Sequence, residues 1–145
     1  MESFDQAHQR VERELTVLLQ RARQMFAQMA REIHPDLDAS AYALLSRIAS
    51  REATTVSSLA AAAGTGKPTI SRQVRALEEL GLLRREPDTS DPRVVQLSLT
   101  TVGTERLEQA RDVRRAALRR LLGEWDVADV ESLGLLLAKF NAAPR

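Results

Sequence analysis

Lys67, Arg72 and Arg75 fall within a short segment in which Ile70, Val74 and Leu77 recur at steps of four and three. On a helix over Lys67 to Leu80 the apolar set fixes the buried side. Pro68, Arg72 and Arg75 are then left on the opposite side, with Thr69 and Ser71 flanking them near the N-terminal end. Arginine can bridge O6 and N7 of a guanine, and Ser or Thr can meet a base edge or a phosphate. The first-turn amides of such a helix can also bind phosphate. Between Lys67 and Arg85 five basic residues (Lys67, Arg72, Arg75, Arg84, Arg85) face two acidic ones (Glu78, Glu79), a local balance of +3 against +1 for the whole chain. Further on, Asp91 and Arg93 stand two apart around Pro92. A carboxylate so placed can hold a guanidinium extended, ready for a narrow minor groove of strongly negative potential. The chemistry these residues imply is recognition of double-stranded DNA. Lys67, Arg84 and Arg85 are expected at phosphates, Arg72 with Thr69, Ser71 and Arg75 in the major groove, and Arg93, oriented by Asp91, in the minor groove.

Other chemistries find less support. Gly64-Thr65-Gly66-Lys67-Pro68-Thr69 looks like a phosphate-cradling loop. The nucleotide signature, however, needs Gly where Ala61 stands and Ser or Thr where Pro68 stands, and Thr69 replaces the third Gly of the dinucleotide pattern. A turn between helices is the better reading. His8 and His34 are isolated, so no metal and no cofactor are expected. Glu78 and Glu79 are adjacent and diverge by about 100° on a helix. They form a solvated patch or pair with Arg75. The run Arg111, Arg114, Arg115, Arg119 and Arg120 reads as solvated helix surface with ion pairs through Glu108 and Asp112. Nothing resembles a catalytic constellation, so an enzyme is not expected.

The elements that position these residues follow from periodicity. Val11, Leu15, Leu18, Leu19, Ala22, Met25, Phe26, Met29 and Ile33 share one face of a helix from Ala7 to Ile33, roughly 40 Å long at 1.5 Å per residue. That outreaches a core this small, so part of the face is expected to meet another chain. Pro35 ends it. A second helix starts near Asp38 or Ser40, either of which can cap it, and runs to about Ser50. Thr54-Thr55-Val56 is a short β-branched run. A small third helix, Ser58 to Ala63, then leads through a Gly64-Thr65-Gly66 turn into the helix from Lys67, which Gly81 closes. Leu82 to Glu86 and Arg93 to Leu99 read as strands around a polar turn, Pro87 to Pro92. In the second strand Val95, Leu97 and Leu99 share a face. Thr100 or Thr101 can cap a helix carrying Leu107, Ala110, Val113, Ala117, Leu118, Leu121 and Leu122. Asp126 can cap a last one bearing Val127, Val130, Leu133, Leu137 and Phe140. Two short helices joined by a Gly-containing turn and followed at once by a hairpin form the layout of a winged helix-turn-helix. The fold class is therefore mainly α with a small β-hairpin. One integrated protomer is expected over 1–145, with a DNA-binding lobe over 38–100 and dimerisation helices over 5–35 and 101–142.

Composition agrees with an ordinary globular chain: of 145 residues 43% are apolar and 28% charged. Of 21 basic residues only Lys67 and Lys139 are lysine, and the other 19 are arginine. Cysteine is absent, which excludes disulfides, thiolate metal sites and cysteine redox sensing. The sequence shows no signal peptide and no membrane span, so a cytoplasmic protein is expected.

Taken together, the run Leu59-Ala60 through Gly64, Lys67-Pro68-Thr69-Ile70-Ser71-Arg72, Leu77-Glu78-Glu79-Leu80-Gly81-Leu82-Leu83, Arg84-Arg85, Asp91-Pro92-Arg93 and Leu97-Ser98-Leu99-Thr100 to Gly103 resembles the MarR family of bacterial transcription regulators. The similarity extends in element order over nearly the whole chain. It implies a homodimer with intertwined terminal helices, a palindromic operator and, more often than not, repression. The resemblance also implies a small, often aromatic or anionic, effector in a cleft between the dimerisation helices and the DNA-binding lobe. Phe26, Met29, His34 and Tyr42 are the residues expected there. The peroxide-sensing mode of the family is closed to a chain without cysteine. The competing expectation is a winged-helix module that binds another protein and no DNA.

Overall fold

Ser3 starts the first helix by a reciprocal cap: its hydroxyl accepts from the Gln6 amide while the Gln6 side chain accepts from the Ser3 amide. The computed structural model describes residues 3–144. Helix α1 runs Phe4–Ile33, three residues earlier than the apolar pattern alone indicates, because this cap lies upstream of the apolar face. Burial is confined to its end, at Met29, Ala30 and Ile33, whereas Phe4, Val11, Val17, Leu18 and Leu19 are exposed. Asp38 then caps α2 (Ala39–Ala49), accepting from the Ala41 amide at 3.0 Å. Thr55 and Ser58 form a capping box that begins α3 (Val56–Ala63) two residues ahead of expectation, since Thr55 takes the cap and Val56 enters the helix.

Gly64, with φ +64°, supplies the left-handed cap that turns the chain toward α4 (Lys67–Glu79). Gly81, with φ +73°, does the same at the far end, where the Leu82 amide reaches back to the Leu77 carbonyl at 2.9 Å. Strand β1 (Leu83–Pro87) pairs antiparallel with β2 (Val95–Leu99), Leu83 opposite Leu99 and Pro87 opposite Val95. The expected second strand from Arg93 is corrected here. Asp88 donates its amide to the Val94 carbonyl and Val94 donates to the Asp91 carbonyl, so Arg93 and Val94 belong to the turn. Pro87, expected in the turn, ends β1. The Thr54–Val56 run forms no strand, yet Thr54 accepts the Leu97 amide at 2.8 Å and so lies against β2.

Helix α5 (Thr101–Leu122) begins on Thr100, whose hydroxyl accepts from the Gly103 amide and donates to the Gly81 carbonyl. The Thr100 amide donates to the Leu82 carbonyl at 3.0 Å. Gly103 packs so closely there that a Cβ would stand 2.2 Å from the Leu82 oxygen. Helix α6 (Val127–Asn141) starts at Asp126, which occupies the cap position without its side chain accepting a bond from the helix.

The described residues fall into two compact units, one up to Arg111 and one from Asp112. The first holds a continuous core from Met29 and Ile33 through Leu45, Leu59, Val74 and Leu77 to Leu82, Leu97 and Leu107. This core fixes α3, α4 and the hairpin as one body. In the second unit α6 buries no residue, and Leu118, Leu121, Trp125, Val127, Leu135 and Phe140 are exposed.

Two measurements check this account. Gly103→Ala should destabilise the chain by about 1–3 kcal/mol in chemical denaturation, because a backbone carbonyl cannot yield as a side chain can. Asp38→Ala should cost about 1 kcal/mol at neutral pH, the loss of one helix cap. Hydrogen bonds from the Ser40 hydroxyl and the Ala41 amide hold the Asp38 carboxyl below its ordinary 3.8. A lowered native pKa means the carboxylate's contribution is complete above that value and fades as pH falls through the native one. The difference between the two proteins should therefore shrink in strong acid.

Candidate nucleic-acid interface

Ile70, Val74 and Leu77 lock α4 onto the core, each at most 2% exposed, and thereby aim the opposite face outward. Lys67, Pro68, Arg72 and Arg75 are exposed there, while Thr69 and Ser71 are half-buried. Lys67, Arg72 and Arg75 make no hydrogen bond or ion pair among the described residues. Gly66 occupies the N-cap of α4 and has no side chain to accept from the first turn, so these amides remain open to an outside anion. Gln73 donates to the Ser40 hydroxyl at 2.7 Å, tying α4 to α2 beside a cleft of about 360 Å³ that Arg47 and Thr69 also line.

Arg84 and Arg85 are exposed but engaged. Arg84 Nε donates to the Ser98 hydroxyl at 3.0 Å and is ion-paired with Glu86 at 2.9 Å. Arg85 is paired with Glu78. The expectation that Glu78 meets Arg75 is thus corrected: the hairpin brings Arg85 closer, and Arg75 stays uncommitted. Of the local excess of positive charge, Lys67, Arg72 and Arg75 are the cations without an acidic partner.

At the turn of the hairpin Asp91 and Arg93 form a two-point pair. Arg93 Nε donates to Asp91 Oδ1 at 3.0 Å, and Nη2 donates to Oδ2 at 3.2 Å, while the Arg93 amide also donates to Oδ1. The Arg93 side chain is nevertheless 89% exposed. Its guanidinium, foremost, and then its amide hold the Asp91 carboxyl below 3.8. On the α5 surface Arg111 and Arg115 pair with Glu108 and Asp112 at 2.6 and 2.7 Å.

Phe26, Met29 and Tyr42 also come together, but as packing. The Phe26 and Tyr42 rings stack with centroids 5.5 Å apart, and Met29 and Tyr42 are at most 3% exposed. His34 sits at the end of α1, its Nδ1 accepting the Asp36 amide at 3.1 Å. No group of three or more metal-ligating side chains occurs among the described residues. Among them, too, no helix is long and apolar enough to cross a membrane.

Residues 37–95, which hold α2 to the start of β2, match the model of the MarR family. The HTH-type transcriptional regulator YxaD of Bacillus subtilis is 31% identical over 133 residues, 92% of each chain. The chain belongs to the MarR family. Its fold is that of MarR itself from E. coli, with TM-score 0.69 and 23% identity over 89% of this chain and 95% of the other. Streptococcus pneumoniae FabT, solved in complex with DNA, matches with TM-score 0.75 at 19% identity, over 92% of this chain and 94% of that one. As a MarR-family transcriptional regulator, the chain carries the winged helix that its cap and hairpin residues foretell.

Sequence reasoning missed the polar residues behind the turn, Thr54, Asp88 and Gln96, which are joined by hydrogen bonds. The outward position of Gln96 beside buried Leu97 was readable. Its partner Thr54 is 42 residues away, and no local pattern links them.

The Asp91–Arg93 pair can be tested alone. In a carboxyl-carbon titration Asp91 should have its midpoint below 3.8. The pair forms above that midpoint and opens as pH falls through it. Arg93→Ala should raise that midpoint toward 3.8 without fully restoring it, because the amide of residue 93 still donates to Asp91. An Asp91 titration indifferent to that substitution would show that the pair does not form in solution.

Proposed function

We propose that the chain binds duplex DNA sequence-specifically as a homodimer on an inverted repeat and acts as a repressor in the cytoplasm. The observation that carries this reading is the pairing of two readers on one rigid unit. One is the free cationic face of α4 with its uncapped N-terminus. The other is Arg93, bonded at two points to Asp91 and exposed at the hairpin turn. Lys67, Arg84 and Arg85 serve phosphates, the latter two by exchanging their carboxylates for the backbone. Pro68, Thr69, Ser71, Arg72 and Arg75 face the major groove, and Arg93 enters the minor groove. The FabT complex supports DNA as the ligand, since its fold matches this one nearly end to end.

The homodimer is supported by apolar surface that one chain leaves in water, at Phe4, Val11, Leu18 and Leu19 on α1 and at Leu135, Leu136 and Phe140 on α6. The lobe is then 38–100 and the dimerisation helices are 5–35 and 101–142. An aromatic or anionic effector that reached Phe26, Met29, His34 and Tyr42 would have to part the Phe26–Tyr42 stack. Release by a ligand therefore requires α1 and α2 to separate locally.

Arg72→Ala and Arg93→Ala should each keep the fold and cost about 1–3 kcal/mol of operator affinity in a fluorescence-anisotropy titration at physiological salt. Unaltered binding by both variants would remove the assignment. Protection should extend over two half-sites about one helical turn apart. A protein-interaction module without DNA binding would instead show equal, negligible affinity for operator and random duplex across a salt series.

A further inference from the structure

The turn that carries Arg93 is held from behind by side chains outside the reading face. Thr54, in the connection between α2 and α3, donates its hydroxyl proton to Gln96 Oε1. Gln96 Nε2 donates to Asp88 Oδ1 at 3.2 Å. The other Asp88 oxygen accepts the amides of Ser90 and Asp91, both at 3.0 Å. Asp91 in turn holds Arg93. The polarity of this relay is determined. An ionised Asp88 can only accept, so the Gln96 NH2 must face it, and Oε1 is left for a donor, which Thr54 supplies. The relay is also rooted, because the Thr54 carbonyl accepts the Leu97 amide of β2. Thr54, Asp88 and Gln96 are half-buried, whereas Arg93 is out in solvent.

An arginine on a loose loop would surrender backbone and rotamer freedom on entering a groove, and that loss weakens binding. A loop whose shape is already set gives up that freedom on folding instead. We propose that Gln96 and Asp88 are positioning residues for DNA recognition: the Thr54–Gln96–Asp88 relay sets the wing turn in the shape from which Asp91 presents Arg93. Neither residue touches DNA; both act through the arginine. This inference rests on the DNA-binding reading above, and its test separates the two.

The test compares wild type with Gln96→Met, which keeps the side-chain length and removes both hydrogen bonds. Thr54→Val breaks the relay at its other end and guards against a local packing effect. Nitrogen-15 relaxation of the Arg93 Nε–H and of the turn amides reads order without DNA. Affinity is measured on a duplex that the wild-type chain has selected from a random pool, for each variant alone and combined with Arg93→Ala. Both variants should show a more mobile turn with little change in melting temperature, and about twofold to tenfold weaker binding, the effect of one net hydrogen bond. In the Arg93→Ala background they should cause no further loss. A turn as ordered in Gln96→Met as in wild type would overturn the proposal. So would a loss that adds in full to that of Arg93→Ala, because the residue would then act elsewhere. If wild type selects no duplex, the DNA-binding reading falls, and the role given to the relay falls with it. The relaxation data still judge separately whether the relay holds the turn.

Discussion

Everything the hairpin can do depends on where its root is pinned, and a clasp around the Leu82 carbonyl does the pinning. That oxygen accepts the Thr100 amide, the neighbouring Gly81 carbonyl accepts the Thr100 hydroxyl, and Gly103 lets α5 approach where no other residue has room. The end of α4, the start of β1, the end of β2 and the start of α5 therefore meet at one point. Leu82 and Leu107 are each at most 1% exposed, which ties the same point to the core. A hairpin of two five-residue strands has little stability alone. Anchored in this way, it emerges at a fixed place beside α4.

From that anchor outward, order is maintained by polar rather than apolar contacts. The core ends at Leu97 and Leu99, and beyond them Pro87, Val94 and Val95 are exposed. What remains is a set of short hydrogen bonds between neighbours: Asp88 to its own turn amides, Asp91 to Arg93, Gln96 to Asp88. Such bonds specify shape while contributing little net stability, because water competes for the same groups. The division suits a surface that must be both rigid enough to read and wet enough to meet a charged partner.

Much of this was legible in the sequence where a single residue type forces a local geometry. Asp38 and Thr100 at caps, Gly81 in the left-handed region, and Asp91 two residues before Arg93 each act on neighbours a few positions away. The outward side of α4 was legible because Ile70, Val74 and Leu77 leave only one way to bury it. Boundaries failed where two residues compete for one role. Thr55 rather than a later residue capped α3, and Arg93 and Val94 were drawn from β2 into the turn by backbone bonds that no composition announces. The pairing of Glu78 with Arg85 depends on how the hairpin crosses α4, which is a tertiary fact. Phe26, Met29 and Tyr42 illustrate a different ambiguity: wall of a cleft and filling of a core have the same side chains, and here Phe26 stacks on Tyr42 while Met29 is buried.

The unit from Asp112 onward has a consequence for how the protein behaves as its amount changes. Its two helical segments display leucines, a tryptophan and a phenylalanine to water and enclose no core between them, so little of their order can come from within. Order in that region has to be borrowed from whatever covers it. If that cover is another copy, dilution by itself loosens the tail while the reading lobe, with its own sealed interior, stays folded. Scarcity would then silence the regulator before unfolding did.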